Sequence, residues 1–94
     1  MDSIIEEQAK FFKALGHPSR LRIVKYLENG KRCVCELVEL IGADFSTVSK
    51  HLTVLKNAGI VKDDKKGKMV FYTLCAPCIL RSMDCIEGIL KLKN

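Results

Sequence analysis

Ninety-four residues with 48% hydrophobic content are expected to make one domain with a small core, for which burial against a second copy is the expected route to extra stability. Sixteen Lys and Arg against eleven Asp and Glu leave a formal charge of +5, which favours a polyanionic partner. No apolar leader-like run follows the N-terminus, and the longest uncharged run, Met69 to Leu80, is too short for a bilayer and contains Pro77, so a soluble, cytoplasmic chain without a membrane partner is expected.

Ser3 to Leu15 has helical periodicity: Ile5, Ala9 and Phe12 share one stripe and Ile4, Phe11 and Leu15 the next. Gly16-His17-Pro18 breaks it, and Pro18 suits the first position of a second helix because its missing N–H has no partner there. That helix runs through Leu21, Val24, Tyr26 and Leu27 to Asn29-Gly30, with Arg20, Arg22 and Lys25 on its wet side. Cys33 to Ile41 reads as a short third helix with Leu37, Leu40 and Ile41 inward and Gly42 as its C-terminal cap.

Asp44 caps a fourth helix, Phe45 to Ala58, in which Val48, Leu52 and Leu55 face the core and Thr47, Lys50, His51 and Asn57 face outward. Gly59 ends it. Ile60 to Lys62 and Met69 to Leu74 read as two strands around a polar turn, Asp63 to Lys68. Ala76-Pro77 opens a last helix whose stripe of Ile79, Met83, Ile86 and Leu90 is widened by Cys85, Ile89 and Leu92, more than a solitary surface helix needs. No repeat or linker interrupts the order, and the fold class is mainly α with a β-hairpin in a single domain over residues 1–94.

Two short helices joined by a tight turn have the proportions of a helix-turn-helix, whose second member enters the major groove N-terminus first. Thr47, Ser49, Lys50 and His51 are then placed to reach bases and phosphates. Ser46 and the free N–H groups of the first turn suit a phosphate. Lys65, Lys66 and Lys68 at the hairpin tip would hold the DNA backbone and position the protein without reading sequence. Double-stranded operator DNA is the partner these features imply. His51 has only His17 for company, so neither is a promising metal ligand.

Ala14-Leu15-Gly16-His17-Pro18-Ser19-Arg20-Leu21-Arg22-Ile23, Ser46-Thr47-Val48-Ser49-Lys50-His51-Leu52 and Lys66-Gly67-Lys68 through Tyr72-Thr73-Leu74 together resemble the ArsR/SmtB metalloregulatory repressors over nearly the whole chain. The resemblance implies a dimeric winged helix-turn-helix protein that releases operator DNA on binding a metal or metalloid, with first and last helices forming the homodimer interface. Phe45 departs from the pattern, which often has Gln there, and is expected to pack as a staple at the helix start.

Five cysteines in an intracellular chain point to metal or redox chemistry more than to a disulfide scaffold. Cys33-Val34-Cys35 resembles the Cys-Val-Cys motif of arsenic- and antimony-responsive members. No cysteine precedes Cys33, so the four-thiolate site of cadmium and lead sensors lacks half its ligands, and a three-coordinate trivalent arsenic or antimony is the implied inducer. Where such members often place a third cysteine, this chain has Val38. A small thiol, a hydroxide or a cysteine from elsewhere in the dimer remains open as third ligand.

Residues two apart on an α-helix point about 200° apart, so one ion could join Cys33 and Cys35 only by unwinding the start of the third helix. That distortion would carry the DNA-reading surfaces away from half-sites ~34 Å apart. Both cysteines could instead be packing residues, although Lys31 and Arg32 beside them favour thiolate ligands. Cys75, Cys78 and Cys85 form a candidate second thiol site, equally readable as packing. No His follows His51, so a last-helix zinc site of the kind other members build is not expected. A redox or persulfide switch on the same fold is the alternative function, and a thiol–disulfide enzyme using Cys75 and Cys78 a remote one. No nucleophile with a positioned base is visible, so no enzymatic activity is expected.

Overall fold

A computed structural model describes residues 2–93 as five helices and three strands in the order α1 (Asp2–Leu15), α2 (Pro18–Tyr26), β1 (Arg32–Cys33), α3 (Val34–Ile41), α4 (Phe45–Asn57), β2 (Val61–Lys66), β3 (Met69–Leu74) and α5 (Cys78–Lys93). The local reasons for most of these boundaries are those read from the residues. His17, in an extended conformation, accepts a hydrogen bond from the Ser19 N–H through Nδ1 at 3.1 Å and so caps α2, with Pro18 next to it. Gly42 closes α3 at φ 76°, and the Asp44 carboxylate accepts from the Thr47 N–H at 3.0 Å to open α4.

Several ends move by a residue or two, among them the end of α4 at Asn57 and the start of α5 at Cys78, and larger differences fall at Cys33 and in the hairpin. Cys33 is not helical: its backbone is extended (φ −77°, ψ 158°) and it is the N-cap of α3. Its Sγ accepts from the Glu36 N–H at 3.4 Å while the Glu36 carboxylate accepts from the Cys33 N–H at 3.1 Å, a capping box with sulfur where Ser or Thr usually stands. Arg32 and Cys33 also form a third strand, pairing antiparallel with Tyr72 and Phe71, which two residues are too few to announce by periodicity.

The hairpin is longer and its turn shorter than expected. β2 continues to Lys66 and the loop is Gly67-Lys68, with positive φ at Gly67 alone, as a type II′ turn requires. The sheet order is β1-β3-β2. Asp63 to Lys66 therefore belong to an edge strand, where charged side chains stay in water and discourage pairing with other chains.

The core lies where α2, α3 and α4 meet the sheet and the start of α5. Ile23, Val24, Leu37, Val48, Leu52, Leu55 and Ile60 are fully buried there. Leu40, expected inward, is exposed, because an eight-residue helix presents only a narrow stripe and Leu37 takes it. The apolar stripes of α1 and α5 are covered only where those helices touch the core: Ala14, Leu15 and Ile79 are buried, but Phe12 and Ile89 are 65% and 60% exposed. Ile4, Ile5, Ile86, Leu90 and Leu92 join them, two uncovered apolar faces on the first and last helices.

Candidate nucleic-acid interface and thiol pair

α3 and α4 are joined by Gly42-Ala43-Asp44, and the second helix of the pair starts at the surface, with its Thr47 N–H held by the Asp44 carboxylate. Ser46, Thr47 and Lys50 are exposed on α4, and Ser49 is half-buried. Val48, Leu52 and Leu55 anchor the opposite face in the core, which fixes which side of α4 is presented outward. Phe45 is the first residue of α4 and 64% exposed; the staple position before the cap belongs to Ala43, so the expected staple role falls away.

Lys65, Lys66 and Lys68 are exposed at the wing tip. Adjacent strand residues point to opposite faces, so Lys65 and Lys66 reach to different sides of the wing, and Lys68 extends from the loop. The wing's two aspartates are engaged by Lys56 to Asp63 at 3.0 Å and Lys66 to Asp64 at 3.8 Å, which mutes the acidic charge between the lysines.

His51 departs from a simple groove-facing role. Its ring lies against that of His17, with centroids 4.4 Å apart, and its Nδ1 is 3.4 Å from the Arg20 guanidinium, which can only donate. Arg20 also donates through Nε to the Ala14 carbonyl at 2.6 Å, tying the end of α1 and the start of α2 to α4. The wet-side reading of Arg20 is thereby corrected. A contact across 31 residues leaves no mark in local periodicity.

Partial burial first, then the neighbouring His17 and Arg20 charges, hold His51 below the ordinary imidazole value of 6.5. The unfolded chain then binds the proton more readily, so the stability supplied by neutral His51 is complete above about pH 6.5 and is lost as pH falls through that value toward the depressed folded one. Urea midpoints taken from about pH 7.5 to 5.5 should fall, and His51→Gln, which cannot titrate, should flatten that fall. An unchanged pH profile in the variant would contradict the assignment.

Cys33 is buried and Cys35 exposed, and the structure joins them in a disulfide with Cα atoms 5.4 Å apart. The expectation that α3 must unwind to bring the sulfurs together is therefore corrected. Cys33 sits before the helix in extended backbone while Cys35 lies in its first turn, so both sulfurs meet with α3 intact. The flanking cations are turned to other partners: Lys31 lies over the Phe71 ring at 5.1 Å, and Arg32 donates to the Tyr26 carbonyl at 2.7 Å and faces Glu36 at 3.3 Å.

What the pair touches matters more. Cys33 is paired with Phe71 in the wing's own sheet, and both cysteines share a small cavity with Phe45 at the start of α4 and Lys68 to Val70 of the wing.

Cys75, Cys78 and Cys85 are exposed and unbonded, and among the described residues no group of three or more His, Cys, Asp or Glu side chains is disposed to hold a metal ion. Cys78 begins α5 and Cys85 lies seven residues on, about 10 Å along the axis, too far for one ion to bridge. The second thiol site is thus not assembled within one chain.

An exposed helix N-terminus on a buried scaffold, preceded by a short helix and followed by a lysine-tipped hairpin, defines a winged helix-turn-helix DNA-binding regulator. Residues 17–63 match the profile of the bacterial regulatory protein, arsR family, and the chain belongs to that family of transcriptional regulators, which are not enzymes. It is 48% identical over 68 residues to the uncharacterized HTH-type transcriptional regulator MJ1325 of Methanocaldococcus jannaschii, covering 71% of this chain and 76% of that one. It is 45% identical over 67 residues to a cadmium resistance transcriptional regulatory protein CadC homolog of Staphylococcus aureus, covering 70% of this chain and 55% of that relative's length. The crystal structure of Rv0081 of Mycobacterium tuberculosis superposes with a TM-score of 0.81 at 34% identity, over 94% of this chain and 89% of that one. Among the described residues no helix is long and apolar enough to cross a membrane.

Proposed function

We propose that this regulator is a cytoplasmic repressor that binds operator DNA as a homodimer and releases it when trivalent arsenic or antimony bridges Cys33 and Cys35. The observation that carries the reading is the position of the pair: one sulfur in a strand of the wing's sheet, the other in the first turn of α3, both beside the start of α4. A bridging atom there alters the spacing of β1 from α3 and so moves wing and reading helix relative to each other, with no helix unwound. Soft thiolates select soft ions over oxygen-preferring ones. Ser46, Thr47, Ser49, Lys50 and His51 face the groove or position α4 in it, and Lys65, Lys66 and Lys68 hold phosphates. The uncovered faces of α1 and α5 meet their copies across the two-fold axis.

Titrating arsenite, antimonite, cadmium and zinc into the reduced protein on its own promoter fragment tests this. Release by arsenite or antimonite at concentrations where zinc is silent is the expected result; release by zinc or cadmium alone would contradict it. The disulfide in the structure favours one second reading, a redox or persulfide switch at the same pair, in which an oxidant such as a peroxide takes two electrons from the two thiols. Release by peroxide and reversal by reductant, with arsenite inert, distinguishes it.

A further inference from the structure

We propose that, in the reduced protein, the cavity beside Cys33 and Cys35 receives the carbon substituent of a mono-organic trivalent arsenical, so that the favoured inducer carries one small apolar group and not a bare hydroxyl. The inference rests on the reading of the pair as the sensor. Trivalent arsenic forms three bonds, and the pair supplies two. Among the described residues no third His, Cys, Asp or Glu of the same chain joins them, so within one protomer the third bond is left to a group the arsenical brings with it.

The surroundings decide what that is. With the pair joined as a disulfide the cavity has a volume of about 180 Å³ and is walled, apart from the two cysteines, by Val34, Phe45, Met69 and Val70 and by Lys68. Only the Lys68 ammonium among those side chains could serve a hydroxyl, while an apolar cavity of about 150 Å³ is enough to admit benzene. Phe45 and Met69 are also large apolar side chains left 64% and 45% exposed away from the faces of α1 and α5. A phenyl or alkyl group seated between them covers that surface and wedges the start of α4 from the wing.

The chemistry balances without an oxidant. An organoarsonous acid, R–As(OH)₂, loses two As–O bonds and gains two As–S bonds to Cys33 and Cys35. Each thiol proton leaves in one of two waters, and arsenic stays trivalent.

The test compares phenylarsine oxide with arsenite on the reduced full chain, by competition against a dithiol chelator, with an unstructured Arg-Cys-Val-Cys-Glu peptide as the reference for intrinsic thiol affinity. The protein's preference for the phenyl compound should exceed the peptide's by about tenfold, or ~1.4 kcal/mol. Phe45→Gln should reduce that excess toward one while arsenite affinity stays within about twofold, and Met69→Gln, also at an exposed position, should do the same. A preference equal to the peptide's, or one kept by both variants, would overturn the inference while leaving the sensor reading standing. Failure of both probes to bind at Cys33 and Cys35 would remove the sensor reading as well.

Discussion

Replacing both Cys33 and Cys35 by serine should leave operator binding intact and abolish its response to arsenite. The first half follows from the cap. Serine is a better N-cap than cysteine, and with Glu36 three residues on it completes the usual form of the capping box, so the variant keeps α3 and the β1 strand. Cys35 is exposed, and a hydroxyl there stays in water. The second half follows from chelation: neither hydroxyl is a soft ligand, so the couplings of about 5- to 150-fold usual between effector and ligand sites should fall to none. Gel-shift or anisotropy titrations of the reduced variant with and without arsenite measure this. A variant that still releases operator on adding arsenite would move the sensor to Cys75, Cys78 or Cys85.

Leu52→Ala should be the most damaging single change on the reading helix. Leu52 is fully buried at the centre of the inner face of α4, and truncating such a leucine costs about 2–5 kcal/mol, the spread depending on how far the cavity collapses. Domains of this size have only about 5–15 kcal/mol in hand. The urea midpoint at fixed protomer concentration should therefore drop steeply, with the slope m unchanged. Leu92→Ala, at a position 89% exposed, should shift the monomer's stability by no more than about 0.5 kcal/mol. A Leu52→Ala loss below ~1 kcal/mol would mean that α4 is not seated as described.

The residues that announced themselves are those whose effect is local. Pro18, Gly42, Asp44 and Gly59 act within a turn of where they stand, and the period of Val48, Leu52 and Leu55 is repeated often enough to be read. β1 escaped because two residues have no period, and β2 ran past its expected end because Asp63 to Lys66 have poor strand propensity and are held by their ladder to Met69–Tyr72. Arg20, His17 and His51 meet only through the tertiary fold. The thiol pair was visible as a motif, but its geometry was not. Treating Cys33 as helical separated two sulfurs that the extended cap brings together, and the coupling route changed with that one residue.

The central claim is that arsenic at this pair and operator DNA on α4 and the wing oppose each other through a shared free energy. Measuring arsenite affinity twice tests it most directly, once for the free reduced protein and once for its operator complex. Linkage requires the free protein to bind more tightly by the same factor by which arsenite weakens operator binding, of the order of 5- to 150-fold. Equal arsenite affinities in the two states would contradict the account, however tightly the ion is held.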